Sequence, residues 1–303
     1  MGKKVSLVLS SGGARGVAHI GVIEELERQG FEIVSIAGTS MGALVGGVYA
    51  SGNLEKFRNW MCQLDKKDVF NLVDFTLSTK GLVKGMRLIK ELKKIVPDIN
   101  IEDLPILYTA VAVDIKSRNE VLFRKGSLYN AIRASISIPT VFTPLKLDGM
   151  ILIDGGVMNP VPINHVSRGD DDIVIAVDVS YQTGLDKCKD NSKKEEVDIN
   201  FFSLLKEKGF SFLTNVKGEQ INYYTLLTQS SSLMIRQISN LTLSMYRPDI
   251  LIRVPLESVG SFHFYKSQEI VERGRLATRE ALFDYESNCI KNGKTKSSCF
   301  NLQ

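Results

Sequence analysis

The sequence is poor in the residues that usually announce a cofactor. It holds four cysteines and three histidines among 303 residues. Cys62, Cys188, Cys289 and Cys299 form no C-x-x-C pair, and no histidine stands near any of them. That spacing excludes a zinc knuckle and a disulfide frame, and leaves free thiols suited to a reducing compartment. Nor does any acidic or histidine cluster have ligand spacing, so neither a metal nor another cofactor is expected. Long apolar runs are missing too. None approaches the ~20 residues that cross a bilayer, and the N-terminus has no apolar core of signal-peptide length. A cytoplasmic location is expected, with peripheral contact at a membrane allowed by the charge. An excess of one charge is absent: 38 Lys and Arg against 34 Asp and Glu give a net charge of +4. Such a diffuse balance excludes a nucleic-acid partner and is compatible with an anionic lipid surface. Met1 to Ser6 fits the loose N-myristoylation pattern, but a strand begins at once, so the match reads as chance. No internal repeat occurs, and nothing fixes an oligomeric state.

What is present is ample material for a core, with 44% hydrophobic and 24% charged residues. The organising stretch is Ile33 to Gly47. An apolar, partly β-branched run ends at Ala37, Gly38-Thr39-Ser40-Met41-Gly42 follows, and a small-residue helical run continues through Tyr49. Strand, sharp turn and helix with a serine at the apex make a nucleophile elbow. Side chains at Gly38 and Gly42 would collide with the neighbouring strand and helix. The following helix points its first amides at the place where an acyl oxyanion forms.

Val5 to Leu9 is a short buried-type strand leading into Ser10-Ser11-Gly12-Gly13-Ala14-Arg15-Gly16 and a helix from Val17 to Gln29. A glycine loop between strand and helix cradles anions. A dinucleotide loop would need a glycine where Ser11 stands, and a P-loop would need Gly-Lys-Ser/Thr. An oxyanion hole is favoured, because the next strand delivers Ser40 to the same sheet edge.

Further helices are expected over Leu54 to Cys62 and Met86 to Val96, with an irregular stretch from Lys66 to Gly85 between them. The second helix has a basic outer side of Lys84, Arg87, Lys90, Lys93 and Lys94, read first as a solvated face. Ile106 to Ile115 is a strand buried on both faces, turned by Lys116 to Asn119 into a hairpin with Glu120 to Arg124. A helix covers Leu128 to Ala134, and the Ser- and Pro-rich stretch to Pro144 is an ordered loop. Met150 to Ile153 is a strand ending at Asp154-Gly155-Gly156, and Ile173 to Val179 is another central strand. The chain is expected to form one catalytic domain over residues 1–285, with a charged linker at 181–198 and a helical cap at 199–246. Within the cap, Ile199 to Leu213 and Ile221 to Met245 read as helices. A last strand covers Ile250 to Val254 and a last helix Tyr265 to Phe283. Residues 286–303 are expected to form a disordered, Lys- and Ser-rich tail.

A serine nucleophile needs a base. His19, His165 and His263 read as structural, with His263 the best of them for a triad. Asp154 is the better candidate: it closes an apolar strand, where ligands bind in open parallel sheets, and two glycines let the backbone turn behind it. Its carboxylate would need a desolvated pocket to gain basicity.

Four blocks, in this order, resemble those of the patatin-like phospholipases: Ser11 to Gly16, Gly38 to Gly42, Ala134 to Pro144, and Asp154-Gly155-Gly156. The resemblance covers about Lys4 to Val179, and the Leu251 to Leu282 region also looks like the end of bacterial members. It implies a three-layer α/β fold with a mainly parallel central sheet between helices. It implies a Ser40–Asp154 dyad without histidine, an oxyanion hole from the amides of Gly12, Gly13 and Ala14, and an acyl-lipid substrate met at a membrane or micelle surface. Arg15, Gly16, Gly38, Gly42, Gly155 and Gly156 support the motifs. Ser11 departs from the family's usual third glycine but leaves the Gly12 and Gly13 amides in place.

Overall fold

A computed structural model describes residues 3–72, 75–78, 81–83, 86–139, 141–181, 223–256, 258–260 and 262–291. The first strand, β1 (Lys3–Leu9), alternates between two faces of a sheet. Val5, Leu7 and Leu9 join one apolar core and Val8 another. After a 3-10 turn at Gly13–Val17, helix α1 (Ala18–Arg28) follows, and Gly30 at φ 81° turns the chain into β2 (Phe31–Thr39). Helix α2 (Met41–Ala50) starts one residue after β2 ends. Helices α3 (Leu54–Gln63) and α4 (Lys66–Leu72), a hairpin of β3 (Phe75–Ser78) and β4 (Gly81–Val83), and helix α5 (Met86–Ile95) come next. The stretch from Lys66 expected to be irregular is thus a helix and a small hairpin.

Strand β5 (Leu107–Asp114) lies in the middle of the sheet and pairs antiparallel with β6 (Asn119–Phe123). Helix α6 (Leu128–Ser135) precedes a second hairpin, β7 (Leu145–Leu147) and β8 (Met150–Asp154). Its two-residue loop, Asp148-Gly149, has φ values of 48° and 78°, the left-handed pair that suits the twist of a tight hairpin. Strand β9 (Ile173–Asp178), helix α7 (Tyr223–Met245), strand β10 (Ile250–Arg253) and helix α8 (Ser267–Lys291) complete the described chain.

The main sheet has the order β10-β9-β1-β2-β5-β8-β7, with β6 also on β5. The five strands from β10 to β5 are parallel. Parallel strands need both faces covered, which explains their near-continuous apolar runs. Residues of α1, α2, α3, α6 and α8 pack on the Leu7 and Leu9 face, around Ile23, Leu44, Phe57, Leu128 and Ile270. On the Val8 face, Val161 and Leu243 of α7 pack against Val174 and Ala176. This is the expected helix–sheet–helix arrangement.

Helices α1 and α8 touch backbone to backbone. A β-carbon on Gly21 would lie 1.9 Å from the Val271 carbonyl oxygen, and one on Gly274 would lie 2.2 Å from that of Ala18. The same interface is polar at its rim. Glu25, 1% exposed, is held by Arg28, Gln29 and Arg279, which together keep its carboxyl down at about 2. Helix α8 also corrects the expected tail: it continues past Phe283 to Lys291, six residues into 286–303. The linker at 181–198 beyond Tyr181, the expected helix Ile199 to Leu213 and residues 292–303 lie outside the described residues.

Candidate active site

The elbow forms because β2 runs straight into α2 with no loop between them. Ser40 is left at φ 58° and ψ −123°, a conformation that a non-glycine residue holds only under constraint. The constraints are close contacts. A β-carbon on Gly38 would stand 2.5 Å from the Gly42 carbonyl, and one on Gly42 would stand 2.2 Å from that of Leu9. Two hydrogen bonds fix the turn from outside. Thr39 Oγ1 donates to the Asn159 carbonyl at 2.8 Å, and the Ser40 N–H donates to Ser135 Oγ at 2.8 Å.

Asp154 arrives from the opposite direction. The expectation that it closes a parallel strand needs correction, because β8 is antiparallel to β5. The Asp148-Gly149 hairpin reverses the chain. Strand β5 has two edges. Its Ala110 to Asp114 are occupied on one edge by β6, so both β2 and β8 lie along the other. There they meet end to end: Thr39 pairs with Val111, and Asp154 with the next residue, Ala112. That meeting sets Ser40 beside Asp154, near enough for the serine hydroxyl to favour the charged form of the carboxyl. Asp154 also accepts the Gly156 N–H at 2.7 Å.

Both side chains are shielded, Ser40 at 3% and Asp154 at 5% exposure. Burial pushes the Asp154 carboxyl up to about 7, against the smaller opposing effects of the Ser40 and Gly156 hydrogen bonds. A carboxylate of that basicity is suited to take a proton near neutral pH.

The glycine loop joins the same place. The Ser11 N–H donates to the Pro160 carbonyl at 2.8 Å, and Val179 N–H donates to Ser10 Oγ at 3.1 Å. A β-carbon on Gly16 would meet the Met41 side chain at 2.5 Å, so the 3-10 turn sits on the first residue of α2. A β-carbon on Gly156 would lie 3.2 Å from Ser11 Oγ. Gly12, Gly13 and Ala14 therefore enter a turn beside both Ser40 and the Asp154 turn, and the first amides of a helical turn have no acceptor within it. Arg15 is half-buried in that turn.

The histidines are engaged elsewhere. His19 Nε2 lies 2.9 Å from the Ser10 carbonyl, and burial lowers its pKa to about 4, so the ring is neutral. His165 pairs with Glu120 of β6. His263 accepts the Gly260 N–H on Nδ1 at 3.1 Å and tilts against Tyr265. Among the described residues, no group of three His, Cys, Asp or Glu is placed to hold a metal ion. Residues that sequence reasoning gave no role are Ser135 and Asn159. No local pattern shows which strand end a distant loop crosses.

A family model for patatin-like phospholipase matches residues 7–166, more than half of the chain. The chain belongs to the patatin-like phospholipase family. An uncharacterized NTE family protein of Mycobacterium tuberculosis is 45% identical over 177 residues, covering 58% of this chain and 49% of that protein. Neuropathy target esterase sws of Drosophila melanogaster is 29% identical over 281 residues, covering 90% and 19%. A patatin-like phospholipase domain-containing protein of Caenorhabditis elegans is 29% identical over 300 residues, covering 95% and 21%. The chain thus spans about half the length of its mycobacterial relatives and about a fifth of the animal ones. Among solved structures, VipD of Legionella pneumophila aligns with a TM-score of 0.48 and 15% identity, over 93% of this chain and 67% of that one. The model match ends at residue 166, so it includes the elbow, the Ser- and Pro-rich stretch and the Asp154 turn.

Proposed function

We propose that the chain is a serine lipid acyl hydrolase, cleaving carboxylic ester bonds of phospholipids, lysophospholipids or related acyl lipids. The observation that carries this reading is the meeting of β2 and β8 on consecutive residues of β5, which sets buried Ser40 beside buried Asp154. Ser40 Oγ attacks the ester carbonyl while Asp154 accepts its proton. The amides of Gly12, Gly13 and Ala14 hold the tetrahedral oxyanion, an effect typically worth ~3 kcal/mol per donor. The protonated Asp154 then returns the proton to the leaving lyso-lipid or alcohol. In the second half, Asp154 takes a proton from water as hydroxide adds to the acyl-Ser40 carbonyl; the C–Oγ bond then breaks, the fatty acid leaves, and Asp154 returns the proton to Ser40 Oγ. No step calls for a metal, so activity is expected to persist in chelator.

The lipid surface is proposed to be met by α7. Over its 23 residues this helix carries one charge, Arg236, while Leu226, Leu233, Met234, Leu241 and Met245 are exposed. It packs against the 3-10 turn at Gly155–Val157, next to exposed Val157 and Met158. Apolar residues with few charges suit a helix lying in a lipid–water interface.

The test is hydrolysis of a short-chain chromogenic ester and of a lysophospholipid by wild type, Ser40→Ala, Asp154→Asn and His263→Ala. The dyad requires loss in the first two variants and turnover in the third. Loss on replacing His263 as well would favour a Ser-Asp-His triad. Labelling by a fluorophosphonate distinguishes an enzyme from a lipid-binding module, and adding an alcohol acceptor reveals acyl transfer.

A further inference from the structure

The end of α6 and the residues just after it touch both Ser40 and Asp154, through their backbone amides. Ser135 Oγ accepts the Ser40 N–H at 2.8 Å and donates its own proton to the Val111 carbonyl at 2.6 Å. Two residues on, the Ser137 carbonyl accepts the Asp154 N–H at 2.9 Å. Ser135 and Ser137 are both completely buried. Ser137 is fixed in turn by Arg133. Its hydroxyl donates to the Arg133 carbonyl at 2.8 Å and accepts from the guanidinium at 2.6 Å, which also donates to the Thr143 carbonyl at 2.8 Å.

Val111 is where these contacts converge. It is the β5 residue that pairs with Thr39, and Gly155 packs so closely on it that a β-carbon there would lie 2.4 Å from the Val111 carbonyl oxygen. One hydroxyl therefore ties the elbow to the strand against which the aspartate turn is pressed.

We propose that Ser135 is a positioning residue: its hydroxyl fixes the elbow at Val111 and, with the Ser137 carbonyl, sets the separation between the Ser40 hydroxyl and the Asp154 carboxylate. The proposal rests on the acyl-hydrolase reading. Ser135 has one proton, and that proton goes to Val111, so towards Ser40 it acts only as an acceptor. It neither donates to a reacting group nor touches substrate. The Ser40 N–H, committed to Ser135, is not an oxyanion donor, which leaves that role to the glycine loop and the first amides of α2.

The experiment compares Ser135→Thr with Ser135→Val, two side chains of one shape that differ in the hydroxyl. Wild type, Ser40→Ala and Asp154→Asn are run beside them on a short-chain ester. The expected result is Thr close to wild type, and Val reduced on the order of 10- to 100-fold in kcat with KM little changed. A second readout separates positioning from simple loss of fold. Val should move the acid limb of the kcat/KM profile upward, because Asp154 loses the Ser40 hydrogen bond that favours its charged form. Equal kcat and an equal acid limb for Thr and Val would overturn the proposal. If the added methyl unfolds both variants, Ser135→Ala is read against wild type by the same two measures, and an unmoved acid limb overturns it. Full activity in Ser40→Ala and Asp154→Asn would instead remove the hydrolase reading. Loss in those two with Thr and Val coincident would remove only the role of Ser135.

Discussion

Thr39 and Asp154 pair with consecutive residues of one strand, Val111 and Ala112 of β5, from opposite directions. The residue after Thr39 is Ser40. The nucleophile and its partner are therefore placed by backbone register, and the side chains need to bridge only a short gap.

Burial holds the Asp154 carboxyl at about 7, and the proposed base works only when ionised. Activity should rise with pH through a single acid limb near 7 and then level off. The measurement is kcat/KM on a soluble ester from pH 5 to 9. A limb near 4, the usual aspartate range, would show that the carboxyl is not desolvated in the free enzyme.

The same shift affects stability. The folded pKa of Asp154 is raised, so the folded state keeps its proton while the unfolded chain loses it between about pH 4 and 7. The ionisation of Asp154 thus lowers stability progressively across that window, and by a constant amount above 7. Asp154→Asn removes this loss. Its advantage in denaturant melts should be near zero at pH 4, grow to a few kcal/mol by pH 7, and stay flat to pH 8.5. An advantage independent of pH would point to packing instead.

Gly274→Ala should destabilise the fold despite favouring a helix. The helix gain is at most about 1 kcal/mol, while forcing a methyl into tight packing costs about 1–3 kcal/mol. Here the new carbon would meet a backbone oxygen at 2.2 Å, which cannot rotate away. A lowered midpoint in thermal melts is the expected outcome, and a raised midpoint would mean that α1 and α8 separate freely.

The exposed side of α7 gives a prediction about lipid. Leu233→Lys with Met234→Glu keeps the added charge at zero while removing two apolar side chains. Binding to phosphatidylglycerol vesicles should fall by about tenfold or more. Turnover of a soluble short-chain ester should not change. Equal loss on both substrates would assign the helix to the site itself.

Much of the candidate site is legible in the sequence because its motifs are written locally. Gly38, Ser40 and Gly42 mark the elbow through spacing alone, and Asp154 with its two glycines marks the turn. The direction of β8 was not read, because Met150 to Asp154 is as apolar in a parallel strand as in an antiparallel one. The signal for its direction is Asp148-Gly149, a hairpin dipeptide directly before the strand. The β3–β4 hairpin was missed for want of an apolar alternation. The end of α8 was placed early because Asp284 to Lys291 is polar, although no glycine or proline stops the helix there. Ser135 was seen within a Ser- and Pro-rich block, yet its partners are 95 residues away at Ser40 and 24 away at Val111. No periodicity encodes such a contact.

The backbone contact between α1 and α8 carries a consequence for the order of synthesis. Helix α1 stands directly behind the glycine loop, and its cover is made from residues more than 240 positions later, with Gly21 waiting for Val271 and Ala18 for Gly274. On the ribosome the loop, the elbow and the aspartate turn all emerge well before that cover. A candidate site supported in this way is assembled last, so a nascent chain lacks its finished form until translation has passed the 270s.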